Sequence, residues 1–219
     1  MPWPVFYIFA FLAGSVPFGF LIAMAKRIDI RKHGSGNIGA TNVGRVLGRK
    51  WGFLCFGLDA AKGAIPVLVA GWSHGLLGVR WNALAPQDTW LWLGVAAAAL
   101  LGHMYSPWVG FKGGKGVATG FGGLVAMWTP LTLPAVAALL VWVIAVKALR
   151  MVSIASMLAA FAIPAAVAIR AATLDDPAAG FRAATPPLVV TGAIALLVVW
   201  KHRSNIARAM RGEERKVNV

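Results

Sequence analysis

The chain has 219 residues, 59% of them hydrophobic and 13% charged, and carries a net charge of +14. A soluble domain of this size cannot hide so much apolar surface in one core, so composition excludes that class and indicates several helices crossing a bilayer. The basic residues lie in short segments between apolar runs and the aromatics lie inside those runs. This excludes a base-stacking nucleic-acid surface and leaves positive-inside topology and anionic lipid as the reason for the charge.

Seven spans are expected, over 3–25, 51–71, 90–104, 117–128, 131–146, 152–169 and 188–200, in one all-α, polytopic domain covering 1–219. Several are shorter than the ~20 residues of a straight lipid-facing helix, which requires neighbouring segments to dip into the membrane while buried in protein. No basic residue precedes the first apolar run, and Lys26 and Arg27 follow it. That order fits a retained span with its N-terminus outside better than a cleaved signal peptide. With the N-terminus out, segments 26–50, 105–116, 147–151 and 201–219 are inside and carry 17 of the 21 Lys and Arg. Arg80, Arg170 and Arg182 are outside, and Lys62 is within a span. The expectation is therefore N-out/C-in. Trp3, Trp51, Trp72, Trp90, Trp128 and Trp200 fall at expected span ends, as an interfacial belt requires. The outer segments 73–89 and 170–187 read as loops without chemistry.

The first inner segment holds Gly34, Ser35, Gly36, Asn37, Thr41, Asn42 and Arg45. Gly34 to Gly39 fits G-x-G-x-x-G, with Asp59 twenty residues further on, but a membrane span precedes it and no βαβ unit fits, so a dinucleotide site is rejected. Glycine, serine and asparagine are ordinary turn formers. Mixed with an arginine, they supply donors and close backbone approach, which suits a phosphate better than a plain linker. The second inner segment places Lys112 and Lys115 around Gly113 and Gly114, without the spacing of a P-loop.

Cys55 is the single cysteine, inside an apolar run, and reads as a small buried residue. Asp59 and Lys62 are three apart in the second span, hence on one helical face, and read as a structural ion pair. His103 closes the third span and reads as an interfacial histidine that orients the second motif. Ser153 and Ser156 share a face at the start of the sixth span. Bonding to their own backbone and contact with substrate stay equally open there. His202 and Asn205 are three apart at the inner end of the last span. No paired His, Cys or carboxylate spacing indicates a metal, and no cofactor is expected.

Three stretches, Gly34–Asn42 with Arg45, Gly102 to Thr119, and His202 through Asn205 and Arg208 to Glu214, resemble the three motifs of the PlsY family of bacterial acyl-phosphate:glycerol-3-phosphate acyltransferases. The resemblance covers nearly the whole chain, with Met210 standing where the family tends to have leucine. It implies transfer of an acyl group from acyl phosphate to the 1-hydroxyl of glycerol 3-phosphate, giving lysophosphatidic acid and phosphate. It implies a multi-pass protein of the bacterial inner membrane, with the active site on the cytoplasmic side. Its partners are the two substrates and membrane lipid, and it admits the soluble enzyme that makes acyl phosphate. Catalytic roles are implied for Ser35, Arg45, Lys115, His202 and Asn205. Substrate contacts are implied for Gly34, Gly36, Asn37, Thr41, Asn42, Lys112, Gly113, Gly114 and Ser156. The proton of the attacking hydroxyl goes either to a substrate phosphate oxygen or to His202. A transporter is disfavoured because the motifs all lie on one expected face, and a phosphatase because no nucleophile or metal constellation is visible.

Overall fold

In the computed structural model residues 1–217 are described; Asn218 and Val219, the end of the expected inner tail, lie outside the described residues. No strand occurs among them. The chain, expected as one domain, divides into two compact units interleaved in sequence. These are Met1–His74 with Gly94–Ala126, and Gly75–Leu93 with Met127–Val219.

The first unit contains α1 (Trp3–Ser15), α2 (Phe18–Ala25), a 3-10 turn at Ile30–Lys32, α3 (Ala40–Leu47), α4 (Arg49–Ser73), the C-terminal part of α5 (Pro86–Met104) and α6 (Val117–Val125). The first expected span is interrupted because Pro17 offers no N–H and pushes Val16 out of the helical region, to ψ 118. The carbonyls of Ser15 and Val16 are thereby released for partners elsewhere. A small apolar core of Ala23, Ile30, Ile38, Val43, Cys55 and Val109 ties the two inner segments to the helices that carry them. Cys55 is the buried small residue the sequence indicates. α6 lies close on α4, since a Cβ at Gly63 would overlap the Thr119 carbonyl and one at Gly122 the Ala60 carbonyl. Small residues at a crossing let two membrane helices approach in this way.

The second unit contains α7 (Thr132–Leu149), α8 (Val152–Ala172), α9 (Pro177–Lys201) and α10 (Arg203–Met210). α8 packs against both α7 and α9. Arg150, left-handed at φ 57, turns the chain from α7 into α8.

Among the described residues five helical stretches are long and apolar enough to cross a membrane: Trp3–Ala25, Arg49–Ser73, Thr132–Leu149, Val152–Ala172 and Pro177–Lys201. Their outward faces carry large apolar side chains such as Leu133, Ile144, Ile169 and Leu196, which is how a lipid-facing surface looks. The other two expected spans come out differently. The third becomes α5, 19 residues that begin at Pro86 and take in Gln87 and Asp88. The fourth becomes α6, nine residues long. At 1.5 Å per residue it covers roughly 14 Å, about half a hydrocarbon core. The seventh expected span, α9, is longer than expected. It starts at Pro177, with the Asp176 carboxylate accepting the Ala179 N–H at 3.0 Å, and runs through Pro186 and Pro187. Most of segment 170–187 is therefore helical, because an Asp-Pro start overrides the loop signal of the later prolines.

Candidate functional site

Segment 26–50, expected inside, is a shaped segment rather than a linker. Asp29 accepts the Arg31 N–H at 3.2 Å and pairs with the Arg31 guanidinium at 2.9 Å, and this holds its carboxyl down to about 2. Beyond the turn, Asn42 organises the glycine stretch from inside. Its Oδ1 accepts the Ser35 N–H at 2.8 Å, and its Nδ2 donates to the carbonyls of His33 at 3.1 Å and Asn37 at 2.8 Å. Gly34 sits at φ +60, and a Cβ there would overlap Asn42 Oδ1, so the bond network needs glycine. Asn37 Oδ1 accepts the Gly39 N–H at 2.9 Å and leads the chain into α3. Asn42 is 3% exposed, whereas Ser35, Thr41 and Arg45 are exposed. Thr41 and Arg45 are one helical turn apart on α3. The sequence brings all seven residues into one segment. The structure divides them into a buried brace, Asn42, the half-buried Gly36 and Asn37, and an exposed rim of Gly34, Ser35, Thr41 and Arg45.

The second inner segment is anchored to the break between α1 and α2. Ser106 Oγ donates to the Ser15 carbonyl at 2.6 Å, and Trp108 Nε1 donates to Ser15 Oγ at 2.8 Å. Further along, Gly114 N–H donates to the His103 carbonyl at 3.2 Å, and a Cβ on Gly114 would overlap the His103 imidazole. The loop thus lies directly on His103. That ring is buried, with Nδ1 3.7 Å from Asp59 Oδ1. Lys62 Nζ sits 2.7 Å from the same oxygen and donates to the Val16 carbonyl at 2.6 Å. Asp59 and Lys62 pair across one turn of α4, as their spacing indicates, and Cys55 Sγ donates to Asp59 Oδ2 at 3.6 Å. Of the two motif lysines Lys112 is exposed and Lys115 half-buried, the latter one residue before the Gly116 cap of α6. Ser15, Ser106 and Trp108 were missed as supports for this loop. The Val16-Pro17 pair was the available signal for a broken first helix.

In the second unit, His202 ends α9 and its Nδ1 lies 2.8 Å from the Val198 carbonyl. A carbonyl can only accept, so Nδ1 carries a proton in this contact. Asn205 is buried, and its Nδ2 donates to Glu214 Oε1 at 2.6 Å. The same carboxylate accepts Ser153 Oγ at 2.7 Å and Arg208 Nε at 3.0 Å. Burial acts to raise the Glu214 carboxyl, but the hydrogen bonds from Ser153 and Asn205 and the Arg208 charge outweigh it and hold the group below the ordinary glutamate value. Val217 N–H closes the strap on the Arg150 carbonyl at 2.8 Å. Ser156 takes the backbone alternative: its hydroxyl donates to the Val152 carbonyl at 2.8 Å and accepts Trp142 Nε1 at 3.1 Å. Glu214 as a hub was missed by residue reasoning. The signal was the pair Glu213 and Glu214 in an otherwise basic tail, the second of them nine positions past Asn205.

These features define a helical membrane protein whose polar motif segments are held in fixed shapes by their own hydrogen bonds. The family model described as glycerol-3-phosphate acyltransferase matches residues 4–212. Glycerol-3-phosphate acyltransferases of Anaeromyxobacter sp. (strain K) and Aquifex aeolicus are each 41% identical to the chain. The alignments cover 94% and 95% of this chain and 93% and 96% of theirs. Crystal structures of PlsY, an integral membrane glycerol 3-phosphate acyltransferase, in its glycerol 3-phosphate and lysophosphatidic acid forms are 36% identical. They superpose with TM-scores of 0.81 and 0.80 over 99% of this chain and 96% and 95% of theirs. The chain belongs to the glycerol-3-phosphate acyltransferase family, and it is a multi-pass membrane acyltransferase.

Proposed function

We propose that the protein transfers a fatty acyl group from acyl phosphate to the 1-hydroxyl of glycerol 3-phosphate. The hydroxyl oxygen attacks the acyl carbonyl, the new ester C–O bond forms and the acyl–phosphate C–O bond breaks, so that lysophosphatidic acid and inorganic phosphate leave. The observation that carries this reading is likeness over almost the whole chain to an enzyme solved with glycerol 3-phosphate and with lysophosphatidic acid, an acceptor and its acylated product. An acyl phosphate is a mixed anhydride and already activated, so the protein need not supply a nucleophile.

In this reading Ser35, Arg45, Lys115 and Asn205 hold phosphate oxygens, helped by Asn37, Thr41, Lys112 and the glycine N–H groups. Asn42 acts by fixing the loop that presents Ser35, consistent with its buried amide. Backbone N–H groups of the glycine segments stabilise the developing oxyanion. Ser156 completes the substrate contacts through the hydroxyl that Trp142 and Val152 orient. The hydroxyl proton passes to a phosphate oxygen of the substrate. A second route, through His202, is favoured by one observation, the Val198 bond that fixes the orientation of its ring at the end of α9. The site faces the cytoplasm from the inner membrane, and seven segments enter the bilayer, α5 and α6 among them.

The test is a donor comparison with purified protein. Acyl phosphate with glycerol 3-phosphate should yield lysophosphatidic acid and phosphate in equal amounts, and omission of the acceptor should abolish the ester. Full activity with acyl-coenzyme A and none with acyl phosphate rejects the donor assignment.

A further inference from the structure

The second unit contains a cavity of 430 Å³ lined by Arg80, Trp81, Trp128, Thr129, Leu133 and Arg170. Two guanidinium groups ninety positions apart in sequence share one opening, against their mutual repulsion. Among the described residues no carboxylate pairs with either arginine. Arg170 lies over the Trp81 ring at 4.8 Å, and its Nη1 donates to the Pro130 carbonyl at 3.1 Å. These contacts fix the direction of the guanidinium while leaving its charge uncompensated. The side chain of Thr129 is tied as well, donating to the Val79 carbonyl at 2.7 Å. Arg170 is thus a braced cation, and the exposed Arg80 shares its opening.

Its position says what kind of anion reaches it. Arg170 is near the C-terminal end of the membrane helix α8, and Ser153, which bonds to Glu214 of the third motif, is near its N-terminal end. Seventeen residues of helix separate them, roughly 25 Å, so the pocket lies at the opposite membrane face from that motif. Trp81 and Trp128 form its rim, the residue type that sits at headgroup depth. From the rim an apolar stripe runs along α7 through Leu133, Leu140 and Ile144, which are 67%, 60% and 67% exposed. Their spacings of seven and four residues keep them on one helical face. A charge-matched headgroup site that opens onto an apolar track fits a molecule with a phosphate at one end and acyl chains at the other.

We propose that this pocket binds an anionic phospholipid, with the phosphodiester between Arg80 and Arg170 and an acyl chain along the α7 stripe. The site is separate from the acyl-transfer motifs and does not depend on the identity of the acyl donor.

The experiment uses the full chain in neutral detergent micelles and follows thermal unfolding against added phosphatidylglycerol, phosphatidylcholine or inorganic phosphate, in wild type and in Arg80→Gln/Arg170→Gln. Phosphatidylglycerol should stabilise the wild type at lower concentration than phosphatidylcholine, and inorganic phosphate should do little. In the double variant the apparent affinity for phosphatidylglycerol should fall roughly thirtyfold, two basic contacts being lost at the membrane surface. Arg80 is exposed, so Arg80→Gln alone, with roughly a fivefold loss, keeps the test open when the double variant does not fold. Equal stabilisation by the two lipids, or an unchanged response in Arg80→Gln, overturns the proposal. Stabilisation by inorganic phosphate equal to that by phosphatidylglycerol makes this an ion site and rejects the lipid.

Discussion

At the residue scale, burial separates the side chains that hold the loop from those proposed to touch an anion. Asn42 makes three hydrogen bonds inside the first motif. Each is worth about 1 kcal/mol net, more where a buried partner is left unpaired. Asn42→Ala should therefore destabilise the protein by about 2–3 kcal/mol in a reversible denaturation measurement, and Gly34→Ala should act in the same direction by displacing the same amide. Lys115 and Lys112 make the opposite comparison. Lys115 is half-buried and Lys112 exposed, and truncating a partner of a desolvated charge pair costs about 2–5 kcal/mol, against about 0–1 for an exposed one. Lys115→Ala should insert and fold normally yet lose at least about a hundredfold in kcat/KM, with a smaller loss in Lys112→Ala. Near-normal turnover by a folded Lys115→Ala removes that residue from the site.

At the element scale, the tail is held to the start of α8 by one carboxylate. The bonds from Ser153, Asn205 and Arg208 favour the ionised form of Glu214, so its folded-state affinity for a proton lies below the unfolded one, which is about 4.3. A depressed carboxylate contributes its stability in full above the unfolded value and loses it as the pH falls through the folded one. Hydrogen-exchange protection of residues 214–217 should thus be steady near neutrality and drop below about pH 4.3. In Glu214→Gln that acid-dependent drop should vanish, and the tail should be less protected than the wild type near neutrality and alike at low pH; an unchanged acid transition in this variant assigns it to another group. The same elements show what was legible in the chain. The motif segments, the Asp59–Lys62 pair and the cores of five long helices follow from charge, spacing and apolar runs. Three features do not. The break at Pro17 is hidden in a run that is apolar on both sides of it. Helix α6 looks like a span because its glycines score as apolar, while its nine residues are ended by local geometry. Glu214 is coupled to Ser153 across 61 positions, and no local pattern reports such a bond.

At the scale of the whole molecule, the orientation in the bilayer rests on charge. Basic residues near span ends resist translocation, and 17 of the 21 fall in segments placed inside by an N-out start. The count is unchanged by the redrawn helices. Residues 26–50 and 201–217 stay outside the five long helices apart from Arg49, Lys50 and Lys201 at their very ends. The extension of α9 back to Pro177 moves its start towards the surface expected outside, without adding a basic residue to the segments expected inside. Arg182 comes to lie in its second turn, where a long side chain can reach the interface. The two ends of α9 then give the clearest assay. Single cysteines at Gln87, Ala178 and Arg211, all exposed positions, can be introduced with buried Cys55 retained as an unreactive background. In intact cells a membrane-impermeant thiol reagent should label the first two and spare Arg211→Cys, which should react once the membrane is opened. Labelling of Arg211→Cys from outside, with Gln87→Cys and Ala178→Cys protected, inverts the topology and with it the cytoplasmic placement of the acyl-transfer site.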